Sequence, residues 1–113
     1  KMFFLRNNLR VNNKGTVAKS AQRRSDKLSQ NIRAKIDSRV MILSRDGKLI
    51  DPFGKKIDDK LFEIRVKVGS QWRVLYAYIW DNHVILLSVF QKKTNKTPSR
   101  EIVKARKRLE EYL

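Results

Sequence analysis

The sequence predicts an α+β domain in which helices pack on one face of a small antiparallel sheet. Three observations lead to this fold class. Apolar residues recur three or four positions apart across residues 26–45, as expected for an amphipathic helix. Three strand-like apolar segments then follow one another closely, and a basic amphipathic segment comes last. We expect all 113 residues to form one domain, because the chain is long enough for one core and too short for two.

The first element is predicted as a strand within residues 2–11, followed by a loop at residues 12–15. The chain is expected to turn helical from residue 16. Ser25 is a suitable N-cap, so residues 16–24 and 26–45 form either two helices or one bent helix.

The helix pattern is amphipathic and has a clear end. Asp46 and Gly47 are predicted to end the helix, because glycine adopts the left-handed closing conformation easily. Several basic residues lie on its other faces, which is typical of a surface helix. Its apolar stripe consists of Leu28, Ile32, Ile36, Val40 and Leu43.

Residues 48–60 are predicted to be a loop, since they contain Pro52, Gly54 and many lysines. The links between the strands that follow, residues 69–71 and 81–82, have hairpin length, which predicts an antiparallel meander. The three predicted strands are residues 61–68, 72–80 and 83–90.

The last element is predicted as a helix with Thr97 as its N-cap and Pro98 at its first position. One side of this helix is apolar and another is basic, so we expect it to pack on the sheet. The apolar residues are Ile102, Ala105, Leu109 and Leu113, and the basic ones are Arg100, Lys104, Lys107 and Arg108.

The charge of the chain points to an anionic partner. Lysine and arginine total 27 against 11 aspartate and glutamate, a net charge of +16. Such an excess predicts binding to nucleic acid, to an anionic surface or to an acidic protein. Because 41% of the residues are hydrophobic, a disordered basic tail is excluded.

Composition also excludes several kinds of site. The chain has no cysteine, hence no disulfide, thiolate metal site or cysteine nucleophile, and its single histidine excludes a two-histidine ribonuclease mechanism. No apolar stretch approaches the roughly 20 residues that span a bilayer. The apolar run near the start is too short for a signal peptide, so we expect a cytoplasmic protein.

Strand alternation predicts which side chains share a face of the sheet. A two-residue turn at residues 81–82 places Arg73 opposite Phe90, and Lys92 continues on the same face. The position of Arg65 depends on the preceding hairpin. A three-residue loop puts Arg65 on this face, with Glu63 beside it, whereas a two-residue loop puts it on the opposite face.

Four segments in this order resemble the RelE/HigB-like toxins of bacterial toxin–antitoxin systems, in particular the subgroup described as phage-derived. The segments are residues 61–66, 72–76, 90–94 and 96–102, the last followed by Ala105, Arg108 and Leu109. The resemblance covers residues 57–113 well and the basic helix at 26–45 more loosely. Each motif alone is weak, and together they are specific.

The resemblance implies a RelE-like, microbial ribonuclease-like fold and cleavage of mRNA on the translating ribosome, with rRNA contacts. It implies no metal and no cofactor: the ribose 2′-hydroxyl attacks the neighbouring phosphate and leaves a cyclic phosphate and a 5′-hydroxyl end. It also implies a cognate antitoxin, commonly a helix-turn-helix repressor, which is expected to set the oligomeric state.

The chain offers side chains suited to this chemistry. Arg65 and Arg73 are predicted to clamp the phosphate through forked hydrogen bonds. Lys92 or Lys93 is predicted to act as base or acid, with a pKa depressed by basic neighbours. Phe90 is predicted to stack on a splayed base.

Three further residues complete the predicted site: Lys96 and Arg100 as RNA-binding residues, and Glu63 as the residue that orients an arginine. Phe90 is equally compatible with a place in the core, and the lysine pair with a solvated strand end.

Two other functions remain open from the sequence. The first is a ParE-like inhibitor of DNA gyrase, since sister families share the fold; the basic segment at residues 91–98 favours the endonuclease instead. The second is a non-catalytic nucleic-acid-binding module, which charge and aromatic residues alone would permit.

Overall fold

The computed structural model describes residues 10–11, 15–17, 28–49, 51–79 and 84–113. These residues contain six strands and two helices, which confirms the predicted α+β class. In chain order they are β1 (Arg10–Val11), β2 (Gly15–Val17), α1 (Gln30–Asp46), β3 (Gly54–Lys56), β4 (Phe62–Val68), β5 (Ser70–Tyr78), β6 (Val84–Lys92) and α2 (Ser99–Glu110).

The strands form one sheet in the order β1-β2-β6-β5-β4-β3. The four strands from β6 to β3 are antiparallel, and β4, β5 and β6 are the predicted meander. The prediction of a loop throughout residues 48–60 was wrong, because β3 pairs with β4 there. A short edge strand of glycine and lysines lacks the apolar alternation by which strands are recognised, and lysines are typical of edges.

The amino-terminal strands differ from the prediction. Thr16 was expected to begin a helix, but it lies in β2, which pairs in parallel with β6. This pairing joins residues far apart in sequence, which local patterns do not report. The strand predicted at residues 2–9, the helix and cap predicted at 18–27, and the turn at 80–83 lie outside the described residues.

The two helices lie on opposite faces of the sheet, which corrects the prediction that they share one face. Ile36 and Val40 of α1 belong to one buried cluster with Val74, whereas Ala105 and Leu109 of α2 belong to the other. The physical reason is that β5 and β6 are buried at both odd and even positions. A sheet that is apolar on both faces requires cover on both.

Both ends of α1 are capped. The Ser29 hydroxyl accepts a hydrogen bond from the Ile32 N–H at 3.4 Å, and Gly47 closes the helix with φ 83°. The Tyr78 hydroxyl donates to the Gly47 carbonyl at 2.7 Å, which ties this end to β5. The predicted apolar stripe, including Leu43, is buried throughout. No helix in the described ranges is long and apolar enough to cross a membrane.

Two details predicted for α2 were wrong. Pro98, and not Thr97, occupies the N-cap position, and no side chain caps the helix. The Thr97 hydroxyl is directed to another partner, described below. Leu113 was placed in the apolar stripe but is 73% exposed, because α2 ends at Glu110.

Candidate active site

Strand register brings the predicted site residues of three strands together. Arg65 of β4 pairs with Arg73 of β5, and Arg73 pairs with Phe90 of β6. Glu63 and Lys92, each two residues away from a member of this row, lie on the same face. Of the two positions left open for Arg65, the structure shows the one beside Arg73.

The turn between β4 and β5 is shorter than the three-residue loop from which Arg65 was predicted to share a face with Arg73. Val68 pairs with Ser70, so Gly69 alone makes the turn, with φ 72°. Compared with a three-residue loop, this turn moves the pairing of β4 with β5 by two residues. A shift of two residues leaves every side chain on the same face of the sheet. Arg65 therefore stands directly opposite Arg73.

Glu63 is the carboxylate around which the site is built, and it is only 1% exposed. Its Oε1 accepts a hydrogen bond from Arg65 Nε at 3.2 Å and lies 3.6 Å from Arg73 Nε. Its Oε2 accepts a hydrogen bond from Thr97 Oγ1 at 2.7 Å. A buried carboxylate is stable only with such partners, so Glu63 fixes two strands and the segment before α2 relative to one another.

Arg73 is buried, with 6% of its surface exposed. Its Nη1 donates to Gln71 Oε1 at 3.2 Å and to the Trp72 carbonyl at 3.0 Å. Burial lowers the pKa of Arg73, the positive charge of Arg65 acts in the same direction, and Glu63 opposes both. Arg73 therefore contributes a fixed positive charge beneath the site.

Arg65 is more accessible than Arg73, with 26% of its side chain exposed. Besides its bond to Glu63, Arg65 Nη1 lies 3.8 Å from a carboxylate oxygen of Asp51. Asp51 is largely exposed, so this ion pair is weak. The outer edge of the Arg65 guanidinium is the part of the site best placed to meet an anionic ligand.

Lys92 is half-buried on the same face. Burial lowers its pKa, and the positive charges of Arg73, Arg65 and Lys55 lower it further, while Glu63 opposes them. A lysine with a lowered pKa loses its proton more readily than one in water, which suits it to proton transfer.

Two residues of the site were missed by sequence reasoning. Lys55 pairs with Glu63 across β3 and β4, so it lies on the site face, and its charge acts on Lys92. Thr97, predicted as a helix cap, instead bonds to Glu63. The lysines of residues 55–56 were a signal for an edge strand; nothing local marks the partner of Thr97.

The other predicted site residues are Phe90, Lys93, Lys96 and Arg100. Phe90 is 7% exposed and belongs to the core cluster beneath α2, so most of its ring is covered. Lys93 and Arg100 line a groove between β6 and α2. Lys96 is exposed, and its carbonyl accepts a hydrogen bond from Thr94 Oγ1 at 2.9 Å. The structure thus joins Glu63, Arg65, Arg73 and Lys92 on one face of the sheet, while Lys93 and Arg100 line the groove beside α2.

Within the described residues, no group of three or more histidine, cysteine or acidic side chains is placed to hold a metal ion. The arginines and lysines of the site can neutralise an anion, and a lysine with a lowered pKa can exchange a proton.

Comparisons with known proteins identify the family and the fold of this chain. The model of a family described as Phage derived protein Gp49-like matches residues 24–110. Among solved structures, a double arginine-to-alanine mutant of E. coli toxin RelE in the free state is similar, with a TM-score of 0.66 and 17% sequence identity. The alignment covers 85% of this chain and 96% of that one. A search of the curated proteins found no match. The structural match confirms the predicted RelE-like fold.

Proposed function

Because the chain belongs to the phage-derived Gp49-like family and has a RelE-like fold, we propose that it is the toxin of a type II toxin–antitoxin system that cleaves mRNA on the ribosome. The observation that carries this proposal is the row of cations around buried Glu63. Arg65, Arg73 and Lys92 come from three strands to one face, where a phosphodiester can be bound.

The proposed reaction is a metal-independent transesterification. The ribose 2′-oxygen forms a bond to phosphorus, and the bond from phosphorus to the 5′-oxygen breaks. One proton leaves the 2′-hydroxyl, and one is added to the departing 5′-oxygen. The products are a 2′,3′-cyclic phosphate and a 5′-hydroxyl end, so atoms and charge balance without a co-reactant.

Each site residue has a proposed part in this step. The Arg65 guanidinium and the Lys55 ammonium stabilise the charge of the phosphorane, supported by the buried charge of Arg73. Lys92 transfers a proton, as base or acid. Glu63 orients both arginines. Lys92 is favoured over Lys93 for proton transfer, because the charges of Arg73 and Arg65 act on Lys92, whereas Lys93 lines the groove between β6 and α2.

The proposed partners are mRNA on the ribosome, with rRNA contacts, and a cognate antitoxin of the helix-turn-helix type, all in the cytoplasm. The net charge of +16 supports an RNA substrate and an acidic inhibitor.

The test is primer extension on a defined mRNA in a purified translation system, with and without ribosomes. Wild-type protein should give ribosome-dependent cuts. Lys92→Ala should lower the cleavage rate by about 10²–10⁴-fold, the usual share of one proton-transfer group. Arg73→Ala should lower it by about 10²–10³-fold, as expected for one charge-stabilising group. Lys56→Ala is the matched control, since Lys56 is exposed and pairs with Phe62, on the other face of the sheet.

Circular dichroism of each variant separates a lost chemical step from a lost fold. If folded wild-type protein gives no cuts in either condition, the endonuclease is rejected, and a gyrase supercoiling assay then tests the ParE-like alternative. If the Lys92 and Arg73 variants bind RNA less tightly but cut bound RNA at the wild-type rate, the protein binds RNA through these residues without using them in catalysis.

A further inference from the structure

We propose that the groove between β6 and α2 is a second binding site for single-stranded RNA, one that holds phosphates flanking the cleaved bond. This inference rests on the proposed function and names where the substrate extends. The β6–α2 groove has a volume of about 530 Å³ and is lined by Phe90, Lys93, Pro98, Arg100, Lys104 and Arg108, among others.

The charge of the groove is strongly positive. Four of its lining side chains are cationic, namely Lys93, Arg100, Lys104 and Arg108. Its acidic lining residue is Glu101, which is buried and already has partners: Oε1 accepts a hydrogen bond from Ser88 Oγ at 2.7 Å and lies 3.5 Å from Lys104 Nζ. With its carboxylate occupied in this way, the groove favours an anionic ligand.

One of these cations is held in place by the backbone. Arg108 Nη1 donates to the Leu87 carbonyl at 2.6 Å, which fixes the guanidinium against β6. A fixed guanidinium loses little conformational entropy when it binds a phosphate, so it is a better ligand than a free surface lysine.

The groove is continuous with the candidate active site through the end of β6. Phe90 pairs with Arg73 and also lines the groove. Lys92 is the last residue of β6, and Lys93 follows it directly. The charge of Lys92 interacts with Arg73 and Arg65, whereas Lys93 lines the groove. An RNA strand that passes over the end of β6 would therefore meet the cations of the active site and then those of the groove.

This continuity favours RNA over an acidic peptide as the occupant. The active-site cluster is suited to a phosphodiester, and a nucleic-acid strand that reaches it must continue past it in at least one direction. The groove volume lies within the roughly 300–1,000 Å³ usual for pockets that bind small ligands. It is therefore large enough for a nucleotide unit of the strand.

The test measures binding of a short fluorescent single-stranded RNA by anisotropy over a series of salt concentrations. Lys92→Ala is the background, so that RNA is not cut. Adding Arg100→Ala and Lys104→Ala should weaken binding several-fold and reduce the slope of log K against log salt by about 1.4, or 0.7 for each lost phosphate contact. Lys48→Ala is the control, because Lys48 is exposed and follows α1, the helix that packs on the other face of the sheet.

Two results would overturn the proposal. In the first, the double variant leaves the salt slope unchanged, or the single substitution Lys48→Ala reduces the slope by as much as each substitution of the double variant does. In the second, the double variant loses binding to poly-glutamate but keeps full RNA binding, which makes an acidic peptide the occupant.

The proposed endonuclease function is tested separately by primer extension. Intact cleavage with an unchanged salt slope rejects the groove alone. Absent cleavage with a reduced slope rejects the endonuclease alone.

Discussion

Two arginines of the candidate site differ in how a ligand can use their charge. Arg73 is buried and bonded to Gln71 and the Trp72 carbonyl, whereas Arg65 keeps about a quarter of its side chain exposed. Both contact the same oxygen of Glu63. We infer that Arg65 contacts the phosphate directly. The buried charge of Arg73 stabilises the phosphate without contact, since solvent screens a buried charge little.

Lys55 provides a test of the electrostatics around Lys92. Its charge is one of the causes that lower the pKa of Lys92, so Lys55→Met should raise that pKa toward the ordinary value of lysine. Whether Lys92 acts as base or acid, the limb of the pH–rate profile that reports its ionisation should move to higher pH. The shift is measured from single-turnover cleavage rates over a range of about pH 6 to about pH 10.

Lys56→Met is the matched control for this prediction, because it removes the same charge from the neighbouring position on the opposite face. It should leave the profile in place. A Lys55→Met profile that coincides with that of wild type would show that Lys92 does not set the limb, or that Lys55 does not act on it.

Bonds between distant segments hold the site together. Residues 91–98, here called the basic knuckle, comprise the end of β6 and the link to α2, and the bond from Thr97 to Glu63 attaches them to β4. Strand β6 also contains a β-bulge near the site. Leu75 pairs with Ser88 and Tyr76 pairs with Leu86, so Leu87 is an extra residue in β6. Bulges of this kind re-aim side chains and are frequent beside active sites.

Two threonines of the basic knuckle form a matched pair of variants. Thr97→Val leaves Glu63 Oε2 without its donor, which should cost about 1–3 kcal/mol of unfolding free energy because the carboxylate is buried. The knuckle should also lose its fixed position, and cleavage should fall by roughly tenfold or more. Urea denaturation and single-turnover rates measure the two effects.

Thr94→Val removes a comparable hydroxyl from the same knuckle. The Thr94 bond to the Lys96 carbonyl is exposed, so its loss should change stability by less than about 0.5 kcal/mol. Equal effects of the two substitutions on cleavage would contradict a special role for the bond between Thr97 and Glu63.

The net charge of +16 affects the protein as a whole, because it attracts polyanions and favours an acidic partner. We expect the product of an adjacent gene to be an acidic antitoxin. Expression of the wild-type protein should arrest growth, and co-expression of that neighbour should restore it. Their association rate should fall steeply with salt, because steering between opposite charges is screened by ions.

The matched control is the neighbouring gene with an early stop codon, which should not restore growth. Lys92→Ala should be tolerated without any partner, since the variant lacks the proposed proton-transfer group. Growth arrest by Lys92→Ala equal to that by wild type would mean that toxicity comes from binding and not from cleavage. Failure of the intact neighbour to restore growth would reject it as the antitoxin.

Local patterns were sufficient for a large part of the fold. The stripe from Leu28 to Leu43 and the end of α1 at Gly47 were predicted because helical periodicity and glycine conformation are local properties. The shared face of Arg73, Phe90 and Lys92 was predicted because side chains alternate along a strand. The roles assigned to these residues stay predictions until cleavage is measured.

Other features were decided only when the chain folded. The sequence by itself determined the buried stripe of α1, since periodicity reports burial, but it did not determine what this stripe packs against. The opposite placement of α1 and α2, the parallel pairing of β2 with β6 and the addition of β3 to the sheet depend on contacts between distant segments. The bond from Thr97 to Glu63 spans 34 residues. Such contacts form because a buried polar group needs a partner, and only the tertiary structure decides which group that partner is.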